Sequence, residues 1–140
     1  MNILDFSTME DFNKIIKKEK FKKIFILSGK NSFYKSKADT FFKFPKKKIL
    51  KFFFKKSKLP ELNELIIIIK EIEKFNPNLI LAIGGGAVID YAKIASIIDI
   101  NLIKDLKKKL ILYENISKNK VYPLVAIPTT AGAGAEVTSN

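Results

Sequence analysis

Residues 79–93 read Leu79-Ile80-Leu81-Ala82-Ile83-Gly84-Gly85-Gly86-Ala87-Val88-Ile89-Asp90-Tyr91-Ala92-Lys93. The first five are apolar without alternation, the pattern of a strand buried on both faces, as in a parallel sheet covered by helices on each side. Three glycines follow at once. Apolar residues then return at Val88, Ile89, Ala92, Ile94, Ala95 and Ile98, the spacing of a helix of about three turns. A strand that turns through glycines directly into a helix leaves unblocked backbone N–H groups, and the positive end of a helix dipole, at its carboxyl end. Such a turn can accept a bulky anion such as pyrophosphate. On spacing alone, a glycine turn that merely lets the helix pack closely on the sheet is an equal reading. The stretch is neither Gly-x-Gly-x-x-Gly nor a P-loop, whose closing Lys-Ser/Thr pair is missing.

Upstream of this stretch, Leu59-Pro60-Glu61 opens a segment with a proline near a first helical turn and an acid suited to the positive end of the dipole. Leu62, Leu65, Ile66, Ile69, Ile72 and Phe75 recur at helical spacing until Asn76-Pro77-Asn78 stops the run. Earlier still, Ile24-Phe25-Ile26-Leu27 ends in Ser28-Gly29-Lys30, which predicts a buried strand entering a loop. Thr8 to Lys18, opened by the capping pattern Ser7-Thr8-Met9-Glu10-Asp11, predicts a first helix. Asn31 to about Phe42 predicts a second, ended by Pro45, and Ile49 to Phe54 a strand whose Phe52-Phe53-Phe54 triplet is assigned to the core. Beyond the glycines, Asn101 to Lys120 is charged and weakly patterned, predicting a loop with a short helix. Tyr122-Pro123-Leu124-Val125-Ala126-Ile127 predicts a last strand, and Pro128 to Ala135 a second ligand-sized loop. Helices alternating with apolar strands give an α/β layer on a mostly parallel sheet, because parallel neighbours need crossover connections. Ligands of such sheets lie beyond the carboxyl ends of the strands, where both glycine-bearing loops fall.

With 140 residues, one domain can bury a core without disulfides or a structural metal. Hydrophobic residues at 47% and charged residues at 29% exclude a disordered or fibrous chain. No cysteine is present, which excludes a disulfide framework, a thiol nucleophile and a thiolate metal site. The net charge of +12 raises nucleic acid or an anionic membrane as partners. Every basic residue is lysine, however, and specific phosphate and base recognition draws on the bidentate guanidinium of arginine. With so much Ile, Phe and Asn, this reads as compositional bias at replaceable positions, and neither a nucleic-acid nor a membrane partner is expected. Met1-Asn2-Ile3-Leu4-Asp5 does not fit a secretory signal, and apolar runs such as Leu65 to Ile69 fall far short of the roughly 20 residues that span a bilayer. A soluble cytoplasmic protein is expected.

The second loop lies in Ile127-Pro128-Thr129-Thr130-Ala131-Gly132-Ala133-Gly134-Ala135-Glu136-Val137-Thr138, where hydroxyls and small residues directly after a strand leave room for a ligand. With these residues the chain resembles the iron-containing alcohol dehydrogenase family, a relative of glycerol dehydrogenases and dehydroquinate synthases. The family pattern Gly-Gly-Gly-Ser-x-x-Asp-x-x-Lys is matched from Gly84 to Lys93, and Ile-Pro-Thr-Thr-Ala-Gly-Thr-Gly-Ser-Glu-Val-Thr from Ile127 to Thr138. Ala87, Ala133 and Ala135 depart from it, each removing a hydroxyl worth roughly 0.5–1.5 kcal/mol where it is bonded. The resemblance implies a Rossmann-like parallel sheet flanked by helices, the N-terminal domain of the dehydroquinate synthase-like fold, with residues 1–140 as a nucleotide-binding domain. It implies that Gly85, Gly86 and Ala87 face the pyrophosphate of NAD or NADP, with Gly84 in the same cofactor-binding set. Thr129 and Thr130 line the adenine and phosphate side, Asp90 and Lys93 lie near the ribose and nicotinamide end, and Thr138 joins the cofactor site. Gly29 falls where many members carry an aspartate that bonds the adenosine ribose, so NADP is at least as plausible as NAD.

The resemblance further implies an oxidoreductase that interconverts a small alcohol and an aldehyde by hydride transfer, using iron or zinc held by an Asp and several His of a C-terminal helical domain. No His occurs in these residues, and that domain is expected to be absent from the chain. The chain alone is therefore expected to be inactive, with no catalytic or metal-binding residue of its own. The alternative is a non-catalytic NAD(P)-binding fragment, or a split subunit that needs a partner chain. A face left open by the missing domain would favour self-association, and a basic module for RNA or acidic lipid ranks a distant third.

Overall fold

Successive side chains of a strand point to opposite faces, so strands that are apolar at every position need cover on both sides. The computed structural model describes residues 9–35, 44–97 and 122–129. Along these run α1 (Met9–Ile16), β1 (Lys23–Gly29), α2 (Lys30–Lys35), β2 (Ile49–Lys55), α3 (Leu62–Phe75), β3 (Leu79–Gly84), α4 (Gly86–Ile97) and β4 (Leu124–Pro128). The four strands pair in parallel in the order β2-β1-β3-β4. Phe25, Leu27, Ile80, Ala82, Leu124 and Ala126 pack with α3 and α4 on one face. Ile24, Ile26, Leu79, Leu81, Val125 and Ile127 form the other core, with Ile16, Phe21 and Phe33 from the α1 and α2 side. All six residues of β3 are buried, as their unbroken apolar run requires. The expected α/β architecture, a Rossmann-like parallel sheet between helices, is the one observed.

The strand order fixes where a ligand can sit. From β1 the chain moves outward to β2, then crosses back over β1 to β3 and on to β4, so the winding direction reverses between β1 and β3. The connections leaving these two strands diverge to opposite faces, which opens a crevice at their carboxyl ends. Gly29 ends β1 and Gly84 ends β3, so both flank that crevice.

Local chemistry sets the element ends. At the end of α3, Asn76 is in the left-handed region (φ 53°), and its N–H donates to the Ile72 carbonyl at 2.8 Å, the signature of an Asn stop. Asn78 then clamps the start of β1. Its side-chain oxygen accepts the Lys23 N–H at 2.8 Å, and its own N–H donates to the Lys23 carbonyl at 2.7 Å. Asn-Pro-Asn thus ends a helix and sets the alignment of two strands.

Several expectations need correction. β1 runs through Ser28 and Gly29, and α2 starts at Lys30 with no intervening loop. α3 begins at Leu62, with Glu61 at its N-cap making no side-chain cap bond, rather than at Leu59. β4 starts after Pro123, which is exposed and needs no ladder hydrogen bond, so the proline does not interrupt the strand. The phenylalanine triplet is core only in part. β2 stands at the edge of the described sheet, Phe52 is 41% exposed, and Phe53 and Phe54 are half-buried. Phe53 packs on one face, its ring 6.4 Å from that of Phe25, while Phe52 and Phe54 meet Phe33 on the other, with centroids 5.9 Å and 5.7 Å from it in edge-on geometry. The cap at Ser7-Thr8, the end of the second helix toward Phe42, the segment 101–120 and most of the second loop lie outside the described residues.

Candidate functional site

Gly84 carries φ +156°, and a Cβ placed on it would stand 2.8 Å from Cγ2 and 3.1 Å from Cβ of Val88. Only a glycine lets the first turn of α4 close over the end of β3. At Gly85 and Gly86 the reason differs, since a Cβ at either would meet nothing within 4 Å. These two glycines leave an open cradle. The first intrahelical bond of this turn runs from the Ile89 N–H to the Gly85 carbonyl at 3.1 Å. The N–H groups of Gly86, Ala87 and Val88 therefore have no acceptor within the helix, and the positive end of its dipole faces the same way. Helix α4, at 12 residues, is long enough for that dipole to count.

The end of β4 is tied to this turn. The Thr129 N–H donates to the Gly84 carbonyl at 2.8 Å, in line with the pairing of Gly84 opposite Pro128. Thr129 is buried, and its hydroxyl has no partner among the described residues. At β1, buried Ser28 donates its hydroxyl to the Ile83 carbonyl at 2.5 Å, which holds the ends of β1 and β3 level.

A cavity of about 580 Å³ occupies the crevice. One wall is Gly29, Gly85, Gly86, Ala87 and Val88. The other is basic: Lys30 and Lys35 come from α2, and Lys55, Lys56 and Lys58 from the end of β2 and the turn after it. Asn31 and Ser57 also line it, and among the described residues no carboxylate does.

Of the residues singled out in the sequence, the structure brings Gly29, Gly85, Gly86 and Ala87 to one cavity. Gly84 and Thr129 are buried beside it as parts of its frame. Asp90, exposed on α4, and half-buried Lys93 do not line it. Thr130 and Thr138 lie outside the described residues. The five lysines were missed, because they had been assigned to solvated surface. Their signal was position, since Lys30 directly follows β1, and Lys56 and Lys58 closely follow β2, where sheet ligands bind.

The turn after β2 is held by a network that no motif announces. Glu64, one turn into α3, accepts the Lys56 N–H at 2.7 Å, the Ser57 N–H at 3.3 Å, the Tyr91 hydroxyl at 2.9 Å and the Ser57 hydroxyl. The Tyr91 oxygen in turn accepts the Glu61 N–H at 2.6 Å. Burial pushes the Glu64 carboxyl pKa up, but the Ser57 hydroxyl, the Lys56 N–H, Tyr91 and the Ser57 N–H outweigh it, and the net shift is below the ordinary glutamate value. Tyr91 moves the other way: burial raises it, and the Glu64 charge and hydrogen bond add to the rise. The pair is a carboxylate and a neutral phenol at neutral pH, and it locks the lysine-bearing turn to α4.

For metals the residues are unsuited to iron. The chain has no His and no Cys, and no three Asp or Glu residues come together among the described residues.

Known proteins give a consistent answer. The family profile described as iron-containing alcohol dehydrogenase matches residues 3–140. The 4-hydroxybutyrate dehydrogenase of Clostridium kluyveri is 44% identical over 75 residues, 51% of this chain and 18% of that protein. An iron-containing alcohol dehydrogenase of Thermotoga maritima superposes over 93% of this chain and 36% of its own, with TM-score 0.63 and 24% identity. A sulfoacetaldehyde reductase of Bifidobacterium kashiwanohense, solved in complex with NAD+, covers 98% of this chain and 38% of its own, with TM-score 0.62 and 17% identity. This chain thus spans under half the length of these proteins. The profile match takes in nearly every residue, including both glycine-bearing loops, and the chain belongs to the iron-containing alcohol dehydrogenase family.

Proposed function

We propose that residues 1–140 are the dinucleotide-binding part of an NAD(P)-dependent alcohol dehydrogenase that interconverts a small alcohol and an aldehyde. The observation that carries this reading is the open cradle at Gly85 and Gly86, set at the reversal point of the sheet and facing unbonded helix N–H groups. A diphosphate suits it in charge and in its need for donors. The orphaned Thr129 hydroxyl beside Gly84 is a further donor for a cofactor oxygen. NAD+ in the sulfoacetaldehyde reductase, which shares this fold, supports the same reading.

When bound, the cofactor supplies the hydride-accepting or hydride-donating nicotinamide ring. This chain's own residues bind and orient it. Gly85, Gly86 and Ala87 present the backbone to the diphosphate, Gly84 and Thr129 fix the spacing between the turns after β3 and β4, and Gly29 lets the adenosine side approach the end of β1. We place Asp90 and Lys93 toward the ribose and nicotinamide end, and Thr130 and Thr138 in the same cofactor site. The donor set that would hold iron is not among these residues, so turnover needs ligands from outside them, on further chain or on a partner subunit. A non-catalytic NAD(P)-binding chain is the second reading, favoured by the same lack of imidazoles.

Isothermal titration with NADH and NADPH tests the binding claim, with a saturable heat expected for at least one and no heat for either sinking it. The purified 140 residues, given a small alcohol, NAD(P)+ and iron or zinc, are expected to show no turnover. Sustained oxidation of the alcohol would overturn that part.

A further inference from the structure

The charge of the cavity exceeds what a plain dinucleotide would use. A diphosphate brings two negative charges, and the backbone N–H groups at the start of α4 already meet them. Five lysines line the same 580 Å³ space, with no Asp or Glu in the lining among the described residues. A concave site lined by one sign of charge focuses its field into the cleft and calls for a matching counter-charge. The lysines also have a definite place. They enter from the ends of β1 and β2, on the far side of Gly29 from the glycine cradle, so the surplus charge lies at the β2 side of the crevice.

Two features make this wall a built one. Lys55 donates from its ammonium to the Ser57 carbonyl at 2.6 Å, which tightens the turn. Glu64 accepts the N–H groups of Lys56 and Ser57, and Tyr91 joins it to the helix that begins at the glycines. The Glu64 carboxylate is thus taken up by the turn's backbone. Among the described residues no aromatic side chain lines the cavity, whereas single-stranded nucleic acids are gripped by stacking on such rings.

We propose that Lys55, Lys56 and Lys58, together with Lys30 and Lys35 of α2, form a second anion subsite that takes a phosphomonoester on the cofactor's adenosine ribose, so that the chain selects NADP(H) over NAD(H). This rests on the dinucleotide reading of the cleft. A ribose phosphate near neutrality adds up to two negative charges, which restores balance against the lysines. The subsite discriminates by charge and not by a fork of fixed donors, so its preference is strongly salt-dependent.

The test is a calorimetric titration of the whole chain with NADP+ and NAD+ at low and at physiological salt, repeated on a Lys56→Gln/Lys58→Gln variant. Expected is NADP+ tighter than NAD+ by tenfold or more at low salt, with the ratio shrinking as salt rises and falling toward one in the variant. Circular dichroism on the variant checks that the fold is kept, and adenosine 2′,5′-bisphosphate against 5′-AMP repeats the comparison without the nicotinamide half. Equal affinity for NAD+ and NADP+ would overturn the subsite while leaving the dinucleotide reading intact, as would a preference that survives the double substitution. Failure of both cofactors to bind would overturn the dinucleotide reading itself. Displacement of NADPH by a poly(U) oligomer at matching affinity would reassign the lysines to nucleic acid.

Discussion

At the residue scale, three consecutive glycines do two different jobs. Gly84→Ala should drive a methyl into Val88 and cost about 1–3 kcal/mol of stability, read as a lowered urea midpoint. Gly85→Ala meets no atom within 4 Å, so the same measurement should barely move. Its methyl instead fills the cradle, and dinucleotide affinity should fall about tenfold, roughly 1.4 kcal/mol. Equal stability loss in both variants would refute this division. The sequence made the triplet legible as an anion turn but could not separate its members, because the separation depends on where Val88 sits after the turn has closed. Gly29 was legible as a loop glycine after a buried strand, but not as the last residue before a helix, because the sequence pattern left a loop where the chain turns directly from β1 into α2. The lysines beside it were not, since a run rich in one surface-compatible residue looks alike whether it faces bulk water or a cleft.

At the element scale, the contacts that matter join residues far apart in sequence. Glu64 and Tyr91 stand 27 residues apart in the sequence, and nothing local says that they meet. Because the Glu64 pKa is lowered in the folded chain, its stabilising contribution is full above the ordinary glutamate range. It is lost as pH falls through the lower, folded value. Urea midpoints followed downward from pH 7 should therefore drop in that acid window, and Glu64→Gln, lower by about 1–3 kcal/mol at pH 7, should show a shallower drop and converge on the wild type in acid. Parallel pH curves for the two chains would count against the carboxylate. The edge strand taught the opposite lesson. Ile49 to Phe54 was correctly legible as a strand, but three consecutive phenylalanines imply a core only if the strand has neighbours on both sides. Strand order, which no local pattern contains, put β2 at the margin.

At the scale of the whole molecule, the α/β class followed from the alternation of apolar runs with helical spacing, because parallel pairing leaves few alternatives. The order β2-β1-β3-β4, and with it the crevice, needed the folded chain. The same order exposes apolar surface: Ile49 is 55% and Phe52 41% exposed along the outer strand. Among the described residues nothing pairs with the outer side of β2, and an unpaired edge with such side chains recruits further strands. Sedimentation velocity should show the average mass rising with concentration, and Phe52→Lys should reduce the rise. A wild-type chain that stays monomeric at high concentration would contradict this. One bond described above has a wider reach. The link between Thr129 and Gly84 runs from main chain to main chain, so no replacement at position 129 short of proline removes its donor. Ala87, without a hydroxyl, still presents its peptide N–H at the start of the helix. Lysine, isoleucine and phenylalanine can thus stand at most replaceable positions of the surface while the anion donors, being peptide groups, persist wherever the glycines do.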